Sequence, residues 1–178
     1  DGIRDVAVTG VQTCALPISF GGGVRTPELH SDAFEAYYAH TPGLKVVAPA
    51  TAADAKGLLS AAILDDDPVM VLEPLKGYRL VKGEVPDERF QTPLGKARIA
   101  RTGSDVTLIA WSAAAVMVTH AAEQLDQMGI DAEVIDLRSL NPLDVETIAA
   151  SVCKTGRVAV VQEAPFTGGF GSEIAATI

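Results

Sequence analysis

The feature that most constrains this chain is a regular alternation of short apolar runs with amphipathic stretches. In the second half, runs at 106–111, 132–137 and 158–162 are separated by segments of helical periodicity. Runs this short suit strands covered on both faces. Between the first two, Ala114, Val118, Ala121, Leu125 and Met128 recur as one helical face, with Ser112 placed to cap and Gly129 to stop the helix. Between the second and third, Asn141-Pro142 reads as an N-cap followed by a first-turn proline. The stripe Val145, Ile148, Ala149 and Val152 follows and is closed by Lys154 and Gly156. The same order stands upstream: a strand at 44–47, a helix opened by a Thr51/Asp54 capping box and carrying Ala55, Leu58, Leu59 and Ala62, then a strand at 69–72. Strand, helix and strand in this order imply right-handed parallel crossovers. The expected fold class is α/β, with doubly wound parallel sheets and flanking helices.

The remaining segments set the boundaries. Gly21, Gly22 and Gly23 open a loop that runs to His30. Asp32 and Glu35 read as a second capping box, starting a short helix through Tyr37, Tyr38 and His40. Pro74, Pro86 and Pro93, with charges between them, mark 73–104 as a linker, and 163–171 as a loop leading into a last helix. Residues 1–19 have neither a helical stripe nor a sustained alternation, and they resemble a translated sequencing-adaptor read-through. They lack the basic start and small-residue cleavage site of a signal peptide. They are expected to stand outside the fold, and Cys14 with them. The expected organisation is a non-native segment 1–19, a first α/β unit 20–72, the linker 73–104 and a second unit 105–178.

Composition narrows the function. Lys+Arg 14 against Asp+Glu 23 gives a net charge of −9, which disfavours a general nucleic-acid binder. No apolar run is long enough to span a bilayer, so no membrane role is expected. Cys14 and Cys153 cannot make a disulfide framework, and a reducing cytoplasm is the expected compartment for a prokaryotic source.

Several residues are candidates for chemistry. His120 shares a polar helix face with Glu123, Gln124 and Gln127 and reads as solvated. His40 ends a helix, where a cation complements the dipole. His30 lies in an irregular loop beside Glu28, Asp32 and Glu35, a setting in which a carboxylate can fix an imidazole tautomer; pattern alone leaves functional and structural roles open. The loop Gly168-Gly169-Phe170-Gly171 follows a strand and opens a helix, but its spacing is not that of a dinucleotide fingerprint, so a tight turn is the favoured reading. Gly21 to Gly23 lacks the Lys-Ser/Thr of a P-loop. The run Asp65-Asp66-Asp67 sits where a helix dipole is negative, so it asks for a compensating cation or ends in solvent.

The segments GGGVRTPELHSD, AHTPGLKVVAPAT, DAKGLL, DDDPVMVLEP, LRSLNPLDVETI, KTGRVAVVQEAP and TGGFGSEIAATI together resemble one family. It is the β subunit of the heterotetrameric E1 component of 2-oxo acid dehydrogenase complexes, and the resemblance runs from residue 20 to 178. It implies a partial transketolase-like pyrimidine-binding domain followed by part of a transketolase C-terminal domain. The activity implied is acyl-transferring oxidative decarboxylation of pyruvate or a branched-chain 2-oxo acid with thiamin diphosphate. Magnesium and the diphosphate would be held mainly by the E1 α subunit in an α2β2 assembly, and the acyl group passed to the lipoyl-bearing E2 acyltransferase. By motif, the family's active-site histidine falls on His30, as proton donor during lipoyl acylation. The main-chain ligands of a structural potassium ion fall on Ala62, Ile63, Asp65 and Asp67.

The departures are informative too. No residue here matches the family's cofactor-activating glutamate, which lies upstream of the glycine run, so no cofactor-binding residue is assigned and the chain alone is expected to be inactive. Asp67 stands where an asparagine is common. Alternatives are a single-chain thiamin enzyme of the transketolase or deoxyxylulose phosphate synthase type, a dinucleotide-binding domain using the Gly168 loop, and a non-catalytic scaffold subunit.

Overall fold

A computed structural model describes residues 15–23 and 31–178. In chain order its elements are β1 (Ala15–Phe20), α1 (Glu35–Ala39), β2 (Lys45–Val47), α2 (Ala52–Leu64), β3 (Val69–Pro74), α3 (Gly77–Leu80), β4 (Arg98–Arg101), β5 (Val106–Ala110), α4 (Ser112–Gln127), β6 (Ala132–Asp136), β7 (Ser139–Asn141), α5 (Val145–Thr155), β8 (Val158–Val160) and α6 (Gly171–Thr177). Two four-stranded sheets result, ordered β1-β3-β2-β7 and β4-β6-β5-β8. Pairing is parallel except at β2–β7 and β4–β6. The α/β class expected from the apolar runs is the one observed.

The central strands are the runs that read as continuously apolar. Val46, Leu72, Ile109 and Ile135 are buried, and with Trp111, Leu137, Leu140, Ile148, Phe20 and Phe170 they form one cluster fed by both sheets. Burying each such side chain stabilises by roughly 1.5–3 kcal/mol, so the shared cluster is a main cohesive force between the units. The antiparallel strand β7 strengthens the union. It leaves the second unit and pairs with β2 of the first, Val46 opposite Asn141 and Val47 opposite Ser139.

Several expectations need correction. Residues 15–19 do not stand outside the fold: β1 pairs with β3 from Ala15–Val69 to Phe20–Pro74. An edge strand is held chiefly by backbone hydrogen bonds and tolerates Pro17, and Leu16 and Pro17 stay exposed. The segment 73–104 is not a bare linker, since it supplies the end of β3, the helix α3 and the edge strand β4. Two of the proposed caps are not made where expected. Asn141 ends β7 and donates its side-chain amide to Leu44 O at 2.8 Å, so Asp144 caps α5 by accepting the Thr147 amide. Ser112 is the first residue of α4 at φ +55, and its buried hydroxyl has no partner. Finally, α4 buries Ala113, Ala114, Ala115, Val118 and Ala122, whereas Ala121 and Met128 face solvent. Small alanines lie against the sheet because they let the helix approach closely, a criterion that hydrophobicity alone does not express.

Where α2 meets the second unit, four charges are gathered. Thr51 Oγ1 caps α2 by accepting the Asp54 amide at 3.1 Å and donates to Asp54 Oδ2 at 2.7 Å. Asp54, buried, receives Arg138 Nη2 at 2.7 Å and Arg98 Nη2 at 3.4 Å. Arg98 also holds Asp136 Oδ2 at 2.9 Å. Burial pushes the Asp136 carboxyl up, and Arg98 pulls it back. Two carboxylates and two guanidinium groups thus compensate one another across the junction of the units.

Candidate active site

His30 lies outside the described residues, but the chain on both sides of 24–30 is in view, and its two ends meet. The Gly21 amide donates to Asp32 O at 3.0 Å, directly beyond β1. Asp32 therefore reaches back to the glycine run through its main chain rather than capping a helix. The helix α1 begins later than expected, after Phe34, with no side-chain cap.

Glu35, expected to complete a capping box, is turned inward instead. Its side chain is buried, and Oε1 accepts the Trp111 Nε1–H at 3.1 Å. Trp111 lies just past β5 and packs edge-on against Phe170, ring centroids 5.9 Å apart. Burial pushes the Glu35 carboxyl above the usual range. Its own backbone amide and Trp111 pull the other way, and the negative charge of Glu163 pushes it further up. Glu163 follows β8, and its carboxylate lies where a side chain on Gly21 would have to stand. Burial raises Glu163 as well, with Lys76 opposing. Beside these groups lies a cleft of about 690 Å³ lined by Ser31, Asp32, Phe34, Tyr37, Tyr38, Glu163 and Pro165. The described residues that flank 24–30 thus meet groups of both units: Gly21, Asp32 and Glu35 from the first, Trp111 and Glu163 from the second.

Trp111 and Glu163 were not candidates from sequence, and Glu35 entered only as a carboxylate flanking His30 and as a capping residue. Glu163 carried a usable signal, because it follows the carboxyl end of a parallel strand, where α/β sheets place functional groups. The relation of Glu35 to Trp111 carried none, since it depends on packing between residues far apart in the chain.

The other candidates resolve individually. His120 is exposed on α4, as expected, and His40 is exposed at the end of α1. At the Gly168 loop, Gln162 fills the space that an anion would need. It accepts the Gly171 amide at 2.6 Å and donates to Pro165 O at 3.0 Å, with Gly169 packed against it. The glycines serve a tight turn. At the end of α2, Asp65 leaves the helix with extended backbone, and the Lys45 ammonium lies 2.7 Å from Asp65 and 3.1 Å from Asp67. Lys45 holds the Asp65 carboxyl below its usual range and supplies the compensating charge that the aspartate run required. The Asp67 amide turns to Asp65 Oδ1 at 2.9 Å rather than to a carbonyl of the helix. Among the described residues no cluster of His, Cys, Asp and Glu side chains could hold a metal ion. A cation here would depend on main-chain oxygens such as those of Ala62, Ile63, Asp65 and Asp67.

Comparison with known proteins agrees with this two-unit architecture. Residues 2–80 match the family described as "Transketolase, pyrimidine binding domain", and residues 95–178 match "Transketolase, C-terminal domain". The chain thus joins a match to a transketolase pyrimidine-binding domain with a match to a transketolase C-terminal domain. Over most of its length it is also similar to β subunits of pyruvate dehydrogenase E1 components. It is 51% identical over 159 residues to the "Pyruvate dehydrogenase E1 component subunit beta" of Bacillus subtilis (strain 168), covering 89% of this chain and 49% of the relative. The protein of the same description from Staphylococcus aureus (strain N315) is 47% identical over 171 residues, covering 95% of this chain and 53% of the relative. The chain thus spans about half the length of the curated relatives it matches. Among solved structures, a split-gene transketolase described as an inactive β4 tetramer superposes with a TM-score of 0.77 at 26% identity, covering 98% of this chain and 57% of that one. A transketolase variant from Pichia stipitis, at 16% identity and a TM-score of 0.56 over 78% of this chain and 21% of its own, shares the fold.

Proposed function

We propose that the chain is part of the β subunit of a thiamin diphosphate-dependent 2-oxo acid dehydrogenase E1 component. In this reading it acts with an E1 α subunit in an α2β2 assembly on pyruvate or a branched-chain 2-oxo acid, and the acyl group passes to lipoyl-bearing E2. The observation that carries the reading is the 51% identity to a pyruvate dehydrogenase β subunit over 89% of the chain. The meeting of the two units at Glu35, Trp111 and Glu163, on the chain that flanks 24–30, supports it. No cofactor-binding residue is assigned in this chain, and at the Gly168 turn the Gly171 amide is taken by Gln162. The cofactor and magnesium are assigned mainly to the α subunit, and none of their chemistry is placed on these residues.

The contribution of this chain is His30. When an acyl carbon forms its bond to one sulfur of the lipoyl disulfide, the S–S bond breaks and the second sulfur leaves as a thiolate. An imidazolium at the site gives that sulfur its proton, a task suited to a group that titrates near neutrality. In the full-length assembled enzyme, His30→Ala is expected to impair acylation of lipoyl-E2 more than decarboxylation followed with an artificial electron acceptor. Equal loss in both assays would make His30 a substrate- or cofactor-positioning group instead. No loss in either would remove it from the site.

The carbonyls of Ala62, Ile63, Asp65 and Asp67 are proposed to hold a structural potassium ion, since oxygen ligands at a helix end suit a hard cation. Exchanging potassium for choline in the assembled enzyme is expected to lower its thermal midpoint, because a ligand bound only to the native state stabilises it. A midpoint indifferent to potassium concentration would refute this site.

A further inference from the structure

Five carboxyl side chains among the described residues are almost fully buried: Glu35, Asp54, Glu133, Asp136 and Asp144. Four of them face a cation. Asp54 has Arg138 and Arg98, Asp136 has Arg98, Glu133 has Lys154 and Asp144 has Lys96. Glu35 has none. Its Oε1 takes the indole N–H of Trp111, its Oε2 has no partner, and the charged group acting on it from the second unit is the carboxylate of Glu163. A buried carboxylate without a cation is costly, and such a group keeps its proton. Its position is equally particular. Glu35 opens α1, the helix into which the chain passes after His30, and Trp111 belongs to the other unit.

We propose that Glu35 is a positioning residue, which as a neutral acid hydrogen-bonded to Trp111 anchors the chain leaving His30 against the second α/β unit. The inference deepens the E1 reading and rests on it for its functional readout. The anchor has three parts. Gly21 holds Asp32 O directly beyond β1, Glu35 holds Trp111, and Phe170 braces the indole ring from the side. The neutral acid serves here where a carboxylate would not, because the negative charge of Glu163, itself countered by Lys76, would repel an ionised Glu35. Raising the pH far enough to ionise it would weaken the junction.

The test uses the full-length β subunit assembled with its α subunit. Trp111 is the one tryptophan of this chain. Incorporating 5-fluorotryptophan, with its resonance assigned by Trp111→Phe, therefore gives a fluorine NMR probe of the Glu35 bond that does not depend on activity. Glu35→Gln keeps a neutral group of the same shape. It is expected to leave both the Trp111 resonance and lipoyl acylation essentially unchanged, with no titration of that resonance through the neutral range in either protein. Glu35→Ala is expected to shift the resonance and to lower lipoyl acylation about 10²-fold, the scale of loss when a reacting group is displaced by an ångström, with decarboxylation affected less. If Glu35→Ala fails to assemble, Trp111→Phe decides together with its denaturant stability, since it removes the indole donor and some ring volume while keeping an aromatic ring near Phe170. Unimpaired acylation in Trp111→Phe or in Glu35→Ala would overturn the proposal. So would a loss in Glu35→Gln as large as in Glu35→Ala, or a resonance that titrates near neutrality in the wild type alone. A wild-type assembly that acylates no lipoyl group would instead refute the E1 reading, and the fluorine resonance would still decide the state of Glu35.

Discussion

Replacing Asp54 by alanine is expected to destabilise the full-length protein by about 3–5 kcal/mol, the range for breaking a buried ion pair from one side. The size follows from what is left behind. Asp54 accepts from Arg138 at 2.7 Å, Arg98 at 3.4 Å and Thr51 Oγ1 at 2.7 Å. Arg98 would retain Asp136 at 2.9 Å, but Arg138 would lose its carboxylate partner. Neither arginine has slack elsewhere, because both Nε atoms are already buried without acceptors. Arg138 is also held at φ +58, a conformation that non-glycine residues rarely adopt, so its surroundings must already offset strain. Equilibrium unfolding in denaturant measures the loss. A double-mutant cycle with Arg138→Met separates the pair from its parts, and the double variant should be markedly more stable than the sum of the single losses predicts. A loss under about 1 kcal/mol in Asp54→Ala would mean that the cluster behaves like a solvent-exposed pair. Because Asp54 belongs to α2 and its arginine partners to the second unit, the cycle also measures how firmly the two units are joined.

The elements legible in the sequence are those whose formation is a local matter. The strands β2, β3, β5 and β6 are apolar runs, and a strand covered on both faces needs little else. The Thr51 cap was legible because a β-region threonine before a helical stripe satisfies a free amide whatever packs around it. Asp32, Ser112 and Asn141 have the same chemistry but are drawn elsewhere. Asp32 O is taken by Gly21, Asn141 reaches Leu44, and Ser112 sits inside the helix it was expected to cap. The strands β4 and β7 were not read because neither is an apolar run. Arg98–Arg101 presents arginines at both ends, and Ser139–Asn141 becomes a strand only because β2 offers it an edge.

The site divides along the same line. His30 was singled out by its loop and its neighbours in sequence, and the aspartate run by its place at a helix end. The answer to the aspartate run, Lys45, lies 20 residues away and needed the parallel pairing of β2 with β3 to bring it close. Glu35 read as a helix-capping residue because its spacing from Asp32 is right for one. Only the burial of Trp111 beside it makes it something else.

The same contrast underlies the second large effect expected, that of Gly103→Ala, at about 3 kcal/mol of lost stability or more, the upper end for overpacking. In sequence Gly103 marks only the start of the second unit. In the sheet it stands at a crossing. The strands β4 and β5 flank β6 on opposite sides, so the chain between them must pass over the start of β6. It does so in contact, with the Ser104 and Asp105 amides both donating to Asp131 O, at 3.0 and 2.8 Å. A methyl group on Gly103 would lie 2.3 Å from Ala132 C and 2.4 Å from Glu133 N. Both are backbone atoms of the strand that pairs with its neighbours on either side, so no side-chain rotation can relieve the overlap. Either the crossing lifts, breaking the bonds to Asp131, or β6 shifts against β4 and β5. Gly83→Ala is the control, because nothing lies within 4 Å of its added carbon, and it should change stability by less than about 1 kcal/mol. Denaturant unfolding of the two full-length variants side by side checks the difference, and equal stability would mean that the crossing over β6 is looser than these distances require.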